Sequence, residues 1–99
     1  MTLGAPPPPL PEPIAIYDPP RSLHFEPGTY VGRQYSAYGI LAGTYSYTLT
    51  SSSTAHTSRY STLPGQTGNW YYIVDGVWES YWIKESSGTT LVPIAVGPL

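Results

Sequence analysis

The stretch WYYIVDGVWESYWIKES, residues 70–86, constrains the fold of this chain more than any other part of its sequence. It holds all three tryptophans and three of the ten tyrosines around a single Asp-Gly pair. Asp75-Gly76 between two apolar runs is typical of a β-hairpin whose two turn residues both adopt positive φ. This interpretation pairs Val74 with Val77, Ile73 with Trp78, Tyr72 with Glu79, and Trp70 with Tyr81.

Both faces of this predicted hairpin are apolar, because side chains alternate across a strand. The two faces carry Tyr71, Ile73, Trp78 and Trp82 on one side, and Trp70, Tyr72, Val74, Val77, Tyr81 and Ile83 on the other. A surface hairpin normally buries one face only. One aromatic row is therefore expected to lie outside the core of the domain.

The hairpin supplies the candidate binding residues. The predicted interface or ligand platform consists of Trp70, Tyr72, Tyr81, Trp78, Trp82 and Glu79. Exposed tyrosine and tryptophan suit a protein interface, and they equally suit stacking against the apolar face of a sugar ring. The alternative is that the tryptophans supply the core of a small domain, since aromatic side chains bury the most area per residue.

The remaining pattern indicates β structure. No segment of ten residues shows helical periodicity, and threonine, tyrosine, valine and isoleucine at this density favour strands. Strands are predicted at residues 22–25 and 59–63, with two more between residues 29 and 50 joined near Ala37-Tyr38-Gly39. The second of those two places Leu41, Tyr45, Tyr47 and Leu49 on one face. The predicted fold is all-β, a small antiparallel barrel or sandwich of five to six strands.

Proline divides the chain into an extended N-terminal arm (1–21), a β domain (22–87) and an apolar C-terminal tail (88–99). Eight of the twelve prolines lie in the first twenty residues, and this density favours polyproline II over helix. Residues 14–17 are expected to pair as an edge strand, with a solvated linker as the alternative. The predicted arm contacts are Pro6, Pro7, Pro8, Pro9, Leu10, Ile14, Ile16 and Tyr17.

Composition disfavours several classes of function. Only 10% of the residues are charged and the net charge is −2, so there is no basic stripe for nucleic acid. Cysteine is absent and histidine occurs twice, so neither disulfides nor a structural zinc site is expected. No apolar stretch reaches a membrane-spanning length. Burial alone gives a domain this small only marginal stability, so we expect oligomerisation to stabilise it. No cofactor is expected.

Catalysis has weak support in the sequence. Glu26 and Glu79 offer a carboxylate pair of the kind glycosidases use, but their spacing does not require one. His56 lies among serines, which permits a Ser-His arrangement, although a solvated loop histidine explains it equally. Asp75 is assigned to the hairpin turn. The sequence therefore predicts that the chain is not an enzyme.

The segment from FEPGTY to YWIKES resembles a repeat module of actinobacterial and related secreted proteins, cell-wall hydrolases among them. In that module a PGTYxGxx opening and a GxWxxYWxxES ending bracket a β domain. The likeness covers roughly residues 23–87 and rests on Pro27, Gly28, Thr29, Tyr30, Gly32, Gly76, Trp78, Tyr81, Trp82, Glu85 and Ser86. It implies a non-catalytic accessory module at a cell envelope, with carbohydrate as a possible ligand.

The chain departs from that setting in its opening, MTLGAPPPPLPEP, which lacks the basic and long apolar regions of a secretion signal. Synthesis in a cytoplasm without export by the usual route is therefore expected. A β domain that oligomerises and carries an extended arm is similar in plan to a bacteriophage capsid decoration protein. We therefore predict a structural virion protein, a capsid decoration or minor head protein. Its expected partners are further copies of this chain or other virion proteins. The alternative is a non-catalytic cell-wall or glycan-binding module at the envelope. A designed chain is a third possibility, but the irregular strand lengths and uneven prolines argue against an idealised design.

Overall fold

A computed structural model of the protein describes residues 12–36 and 39–93. In these residues the chain forms seven strands and one short 3-10 helix. The strands are β1 (Ala15–Phe25), β2 (Gly28–Tyr35), β3 (Leu41–Leu49), β4 (Ser53–Ser61), β5 (Trp70–Ile73), β6 (Trp82–Lys84) and β7 (Thr89–Leu91), and the 3-10 helix is Gly76–Trp78. All pairs are antiparallel within one sheet of order β3-β2-β6-β5-β4-β1-β7.

The predicted all-β class is confirmed, whereas the predicted strand count is too low. The sheet has seven strands and is not closed, since β3 and β7 form its two ends. Strands also extend into both predicted flanking segments. β1 begins at Ala15, inside the predicted arm, and β7 lies inside the predicted tail. The first residues of β1 pair with β4, and a register shift between Ile16 and Arg21 accommodates two prolines that lack an N–H.

The sheet curls around one aromatic core. Only Glu26 and Pro27 join β1 to β2, although three strands lie between these two in the sheet order. The ring of Phe25 at the end of β1 therefore reaches Tyr30 of β2, with 5.3 Å between centroids, and Trp78, with 5.0 Å. The main core consists of Leu23, Phe25, Tyr30, Ala55, Tyr71, Ile73, Trp78 and Ile83. Removing this apolar surface from water is the main force that stabilises the curl.

The aromatic hairpin exists, but its turn and its register differ from the prediction. β5 and β6 pair antiparallel, with Trp70 opposite Lys84, Tyr71 opposite Ile83 and Tyr72 opposite Trp82. A wide loop that contains the 3-10 helix replaces the predicted two-residue turn. Gly76 has a φ of +78°, whereas Asp75 is extended with a φ of −153°. The reason is that the Asp75 carboxylate accepts hydrogen bonds from the backbone N–H of His56 and from its ring, each of 2.7 Å.

The changed register exchanges the faces of β6. Tyr71 and Ile73 lie in the main core, on the face that the alternation of β5 predicts. Ile83, which was predicted for the other face, lies in the main core beside them. Trp82 instead packs with Trp70 on the opposite face, in a second cluster that Leu63 completes. Tyr35 and Tyr72 pack at its margin. The second face of the hairpin is therefore covered by the chain's own loop after β4.

Candidate functional site

The three tryptophans of the predicted platform are buried. Trp70, Trp78 and Trp82 retain only 4%, 2% and 5% of their surface exposed. They pack in the two clusters of the fold and present no open face. Tyr72 and Tyr81 are half-buried, and Glu79 is exposed. Of the six predicted platform residues, only these three are therefore accessible.

The described part of the predicted arm exposes apolar side chains. Ile14 is 58% exposed and Ile16 is 65% exposed. Tyr17 instead packs against the main core, and the Arg21 guanidinium lies 5.6 Å from the centroid of its ring. The predicted contacts Pro6, Pro7, Pro8, Pro9 and Leu10 lie outside the described residues.

A group of tyrosines lies where the core face of the sheet meets its β3 end. We call Tyr45, Tyr47 and Tyr81 the tyrosine cluster. The ring of Tyr45 lies 6.1 Å from that of Tyr47 and 6.0 Å from that of Tyr81. Trp78 lies beneath, 5.9 Å from Tyr47. Tyr45 and Tyr47 are each 37% exposed, so the buried core continues into an accessible aromatic surface.

Gly32 of β2 allows this cluster to form. It pairs with Tyr45 on one side and with Ile83 on the other. An added Cβ at Gly32 would lie 3.1 Å from the Cβ of Tyr81 and 3.3 Å from Cδ1 of Trp78. A side chain at this position would occupy the space that these rings use. Because Gly32 has no Cβ, the loop that contains the 3-10 helix packs directly against β2.

The outer edge of β3 is unpaired among the described residues. β3 pairs with β2, and no other described strand lies on its far side. Its nine residues, LAGTYSYTL, include no charge and no proline. Natural edge strands are usually protected by lysine, proline or bulges, because an open row of N–H and C=O groups recruits another strand. The β2–β3 pairing has one register shift, between Gln34 and Tyr35, where β2 ends and β3 begins.

Sequence reasoning identified Tyr81 but did not place Tyr45 and Tyr47 in a binding surface. It did assign them correctly to one face of a strand. What it lacked was the position of that strand in the sheet, which depends on long-range pairing. The alternating Tyr-Ser-Tyr pattern without charges was the available signal.

Glu85, one of the residues behind the family resemblance, has a structural contact in this fold. Its carboxylate accepts hydrogen bonds from the hydroxyls of Tyr60, at 2.8 Å, and Tyr71, at 3.2 Å. Burial, with the Glu85 charge and hydrogen bond added, raises the pKa of Tyr71. Both hydroxyls therefore stay protonated and donate to the Glu85 carboxylate. These two hydrogen bonds connect β4 and β5 to the residue after β6.

Comparison of the chain with family models, with curated proteins and with solved structures gave no significant match. Among residues 12–36 and 39–93, no group of three or more histidine or acidic side chains is arranged to hold a metal ion. The same residues include no helix long and apolar enough to span a membrane. The geometry of the sheet and its edge therefore provides the basis for assigning a function.

Proposed function

We propose that this protein is a structural component of a larger assembly, specifically a bacteriophage capsid decoration or minor head protein, whose β3 edge pairs with a neighbouring subunit. The observation that carries the proposal is the nine-residue edge of β3, which has neither charge nor proline. Strand addition at such an edge gains main-chain hydrogen bonds along its whole length. Leu41, 46% exposed, and the two exposed tyrosines of the cluster would be covered at the same time.

The partner that best fits this edge is a second copy of the chain. Two β3 strands paired antiparallel form an isologous contact, in which the same residues face each other from both sides. Identical charged strands would repel each other in this arrangement, but β3 carries no charge. The small core of the domain is a further reason for association, because small domains commonly gain stability by oligomerisation.

Two exposed isoleucines, one just before β1 and one near its start, support contacts with further subunits. Ile14 and Ile16 leave more than half of their surface open, and the residues before them are rich in proline. Extended proline-rich segments lose little conformational freedom when they bind along another surface. In the proposed assembly the N-terminal arm lies along a neighbouring virion protein, as the plan of a capsid decoration protein requires.

The glycan-binding alternative also has an observation in its favour, namely three adjacent tyrosines with exposed Glu79 on the loop of Tyr81. The ring orientations argue against it. The planes of Tyr45 and Tyr47 are inclined by 83°, and those of Tyr45 and Tyr81 by 78°. The rings therefore share no flat surface on which a sugar would stack. In this alternative the protein would act at the cell envelope.

The test is the solution mass of the purified chain by light scattering over a range of concentrations. We expect a multiple of 10.8 kDa for the wild type. Ser46→Lys, which places a charge at the middle of the β3 edge, is expected to give the monomer, because two facing lysines repel each other at the edge. Thr54→Lys adds the same charge at an exposed position of the interior strand β4 and is expected to leave the oligomer intact.

A wild-type chain that stays monomeric at every concentration would contradict the proposed self-association. Binding of that monomer to a wall polysaccharide, with loss of binding in Tyr45→Ala, would establish the glycan-binding alternative instead. An oligomer that both lysine variants preserve would place the subunit contact away from β3.

A further inference from the structure

A serine, a histidine and an aspartate from three separate segments contact one another in series on the sheet face opposite the main core. The Asp75 carboxylate Oδ2 lies 2.7 Å from Nδ1 of His56. The other ring nitrogen, Nε2, lies 3.4 Å from the hydroxyl of Ser22. Ser22 and His56 are direct partners across β1 and β4, so the sheet register sets their approach. Sequence reasoning weighed serines near His56 in the chain, whereas the serine that reaches it comes from β1.

Asp75 fixes the tautomer and the orientation of the imidazole. An ionised carboxylate only accepts hydrogen bonds, so Nδ1 carries the proton and Nε2 remains free to accept one from Ser22. The second oxygen of Asp75 accepts the backbone N–H of His56, which holds the carboxylate in place. Partial burial, which raises the pKa of Asp75, is outweighed by these two hydrogen bonds and by attraction to His56, so this pKa lies below its ordinary value.

The serine also lies in the wall of an open groove of about 510 Å³. The other lining residues described there are mainly apolar, among them Ile16, Tyr17, Pro20 and Val92. Arg21 lines the same groove. Its Nη2 donates to the carbonyl of Val92, and its Nε–H has no acceptor among the described residues. The groove therefore combines a largely apolar wall with a hydroxyl that contacts an imidazole, and Asp18 adds a carboxylate to its lining.

We propose that Ser22, His56 and Asp75 form an acyl-transfer site that hydrolyses carboxylic esters with a short apolar acyl group. The distance of 3.4 Å lies just beyond the range of about 2.6–3.2 Å for a general base, and such contacts are often longer before substrate binds. This activity is separate from the proposed role in assembly. It uses β1 and β4, away from the β3 edge.

The reaction balances with water as the only co-reactant. Nε2 of His56 takes the proton of the Ser22 hydroxyl as the oxygen bonds to the ester carbonyl carbon. The anionic intermediate then collapses and releases the alcohol, which takes the proton from His56. Water then attacks the acyl-serine with His56 again as the base, and releases the carboxylic acid and Ser22. Asp75 is a positioning residue, since it acts through His56.

The first test is covalent labelling of the full chain with an alkyl fluorophosphonate, followed by peptide mass spectrometry. We expect one adduct per chain, on Ser22, because the imidazole activates this hydroxyl alone. Ser22→Ala is expected to abolish labelling. Ser53→Ala, which removes an exposed strand serine, is expected to leave it unchanged. An unlabelled wild type, or labelling that Ser22→Ala does not reduce, would overturn the proposal.

The role of Asp75 is tested by separating the binding of the probe from its reaction. Asp75→Asn keeps the shape of the side chain but loses the charge that orients the imidazole. We expect the inactivation rate constant to fall at least about tenfold while the reversible affinity for the probe is unchanged. Hydrolysis of p-nitrophenyl butyrate should fall by the same factor. Equal rate constants in wild type and Asp75→Asn would contradict this positioning role.

Discussion

Replacing Trp78 with alanine is expected to lower the free energy of unfolding by about 3–5 kcal/mol, the cost of removing a large buried aromatic side chain. Trp78 is 2% exposed, and its ring contacts Phe25 and Tyr47 as well as Tyr30, at 5.5 Å. These partners come from three different strands, so one deletion loosens the curl of the whole sheet. Domains of this size have total stabilities of about 5–15 kcal/mol. Urea denaturation followed by circular dichroism measures the change.

Val77→Ala is the matched control for this prediction. Val77 precedes Trp78 on the same 3-10 helix but is 47% exposed, and we expect a change within about 0.5 kcal/mol. Trp78→Phe keeps an aromatic ring and removes an indole N–H that has no acceptor among the described residues, so it should cost less than alanine. An alanine variant as stable as the wild type would show that Trp78 does not hold the strands together.

Gly32→Ala is expected to destabilise the fold by about 1–3 kcal/mol, although alanine is ordinarily the better residue within a strand. The added methyl would lie 3.1 Å from the Tyr81 Cβ, 3.2 Å from the Ile83 Cδ1 and 3.3 Å from the Trp78 Cδ1. Two of these atoms belong to side chains anchored in the core, which limits their movement. The strand would have to shift or the 3-10 loop would have to lift. Thermal unfolding of the two proteins measures the difference.

Gly43→Ala supplies the matching substitution on the neighbouring strand. An added Cβ at Gly43 would lie 3.6 Å from Oε1 of Gln34 and 3.7 Å from the Tyr81 hydroxyl, which are ordinary contacts. We expect it to be neutral or to stabilise by up to about 1 kcal/mol, since it reduces the freedom of the unfolded chain. Equal losses at both glycines would indicate a general intolerance of strand substitution instead of a specific clash at Gly32.

Local patterns predicted the parts of the fold that depend on neighbouring residues. The alternation of Tyr45, Tyr47 and Leu49 correctly predicted a strand here, and the glycine near residue 39 marked its connection to β2. The strand is more exposed than the predicted half-buried one, since seven of its nine residues are exposed. The pattern at Asp75-Gly76 was equally local, yet it predicted the wrong turn. A contact between Asp75 and His56 on another strand decided the conformation there, and no feature of residues 70–86 indicates that partner.

The candidate sites depend on long-range pairing, and for this reason the sequence revealed them only in part. Nothing in the composition of β3 shows that it ends the sheet. Leu63, which lies in the loop after β4, covers the second face of the hairpin. Residues predicted to form an interface are therefore buried in a second core cluster. Ser22 and His56 are 34 residues apart and meet because of the β1–β4 register. Periodicity within a strand does not encode that register.

The most direct test of the proposed subunit contact is residue-resolved hydrogen exchange of the β3 backbone amides in the wild-type chain at low and high protein concentration. The alternate amides of residues 41–49 that point away from β2 should exchange rapidly when the chain is dilute. They should become protected when it is concentrated, while amides of the interior strands β4 and β5 are unaffected. Outward amides of β3 that exchange at the same rate at every concentration would contradict the claim that another subunit covers this edge.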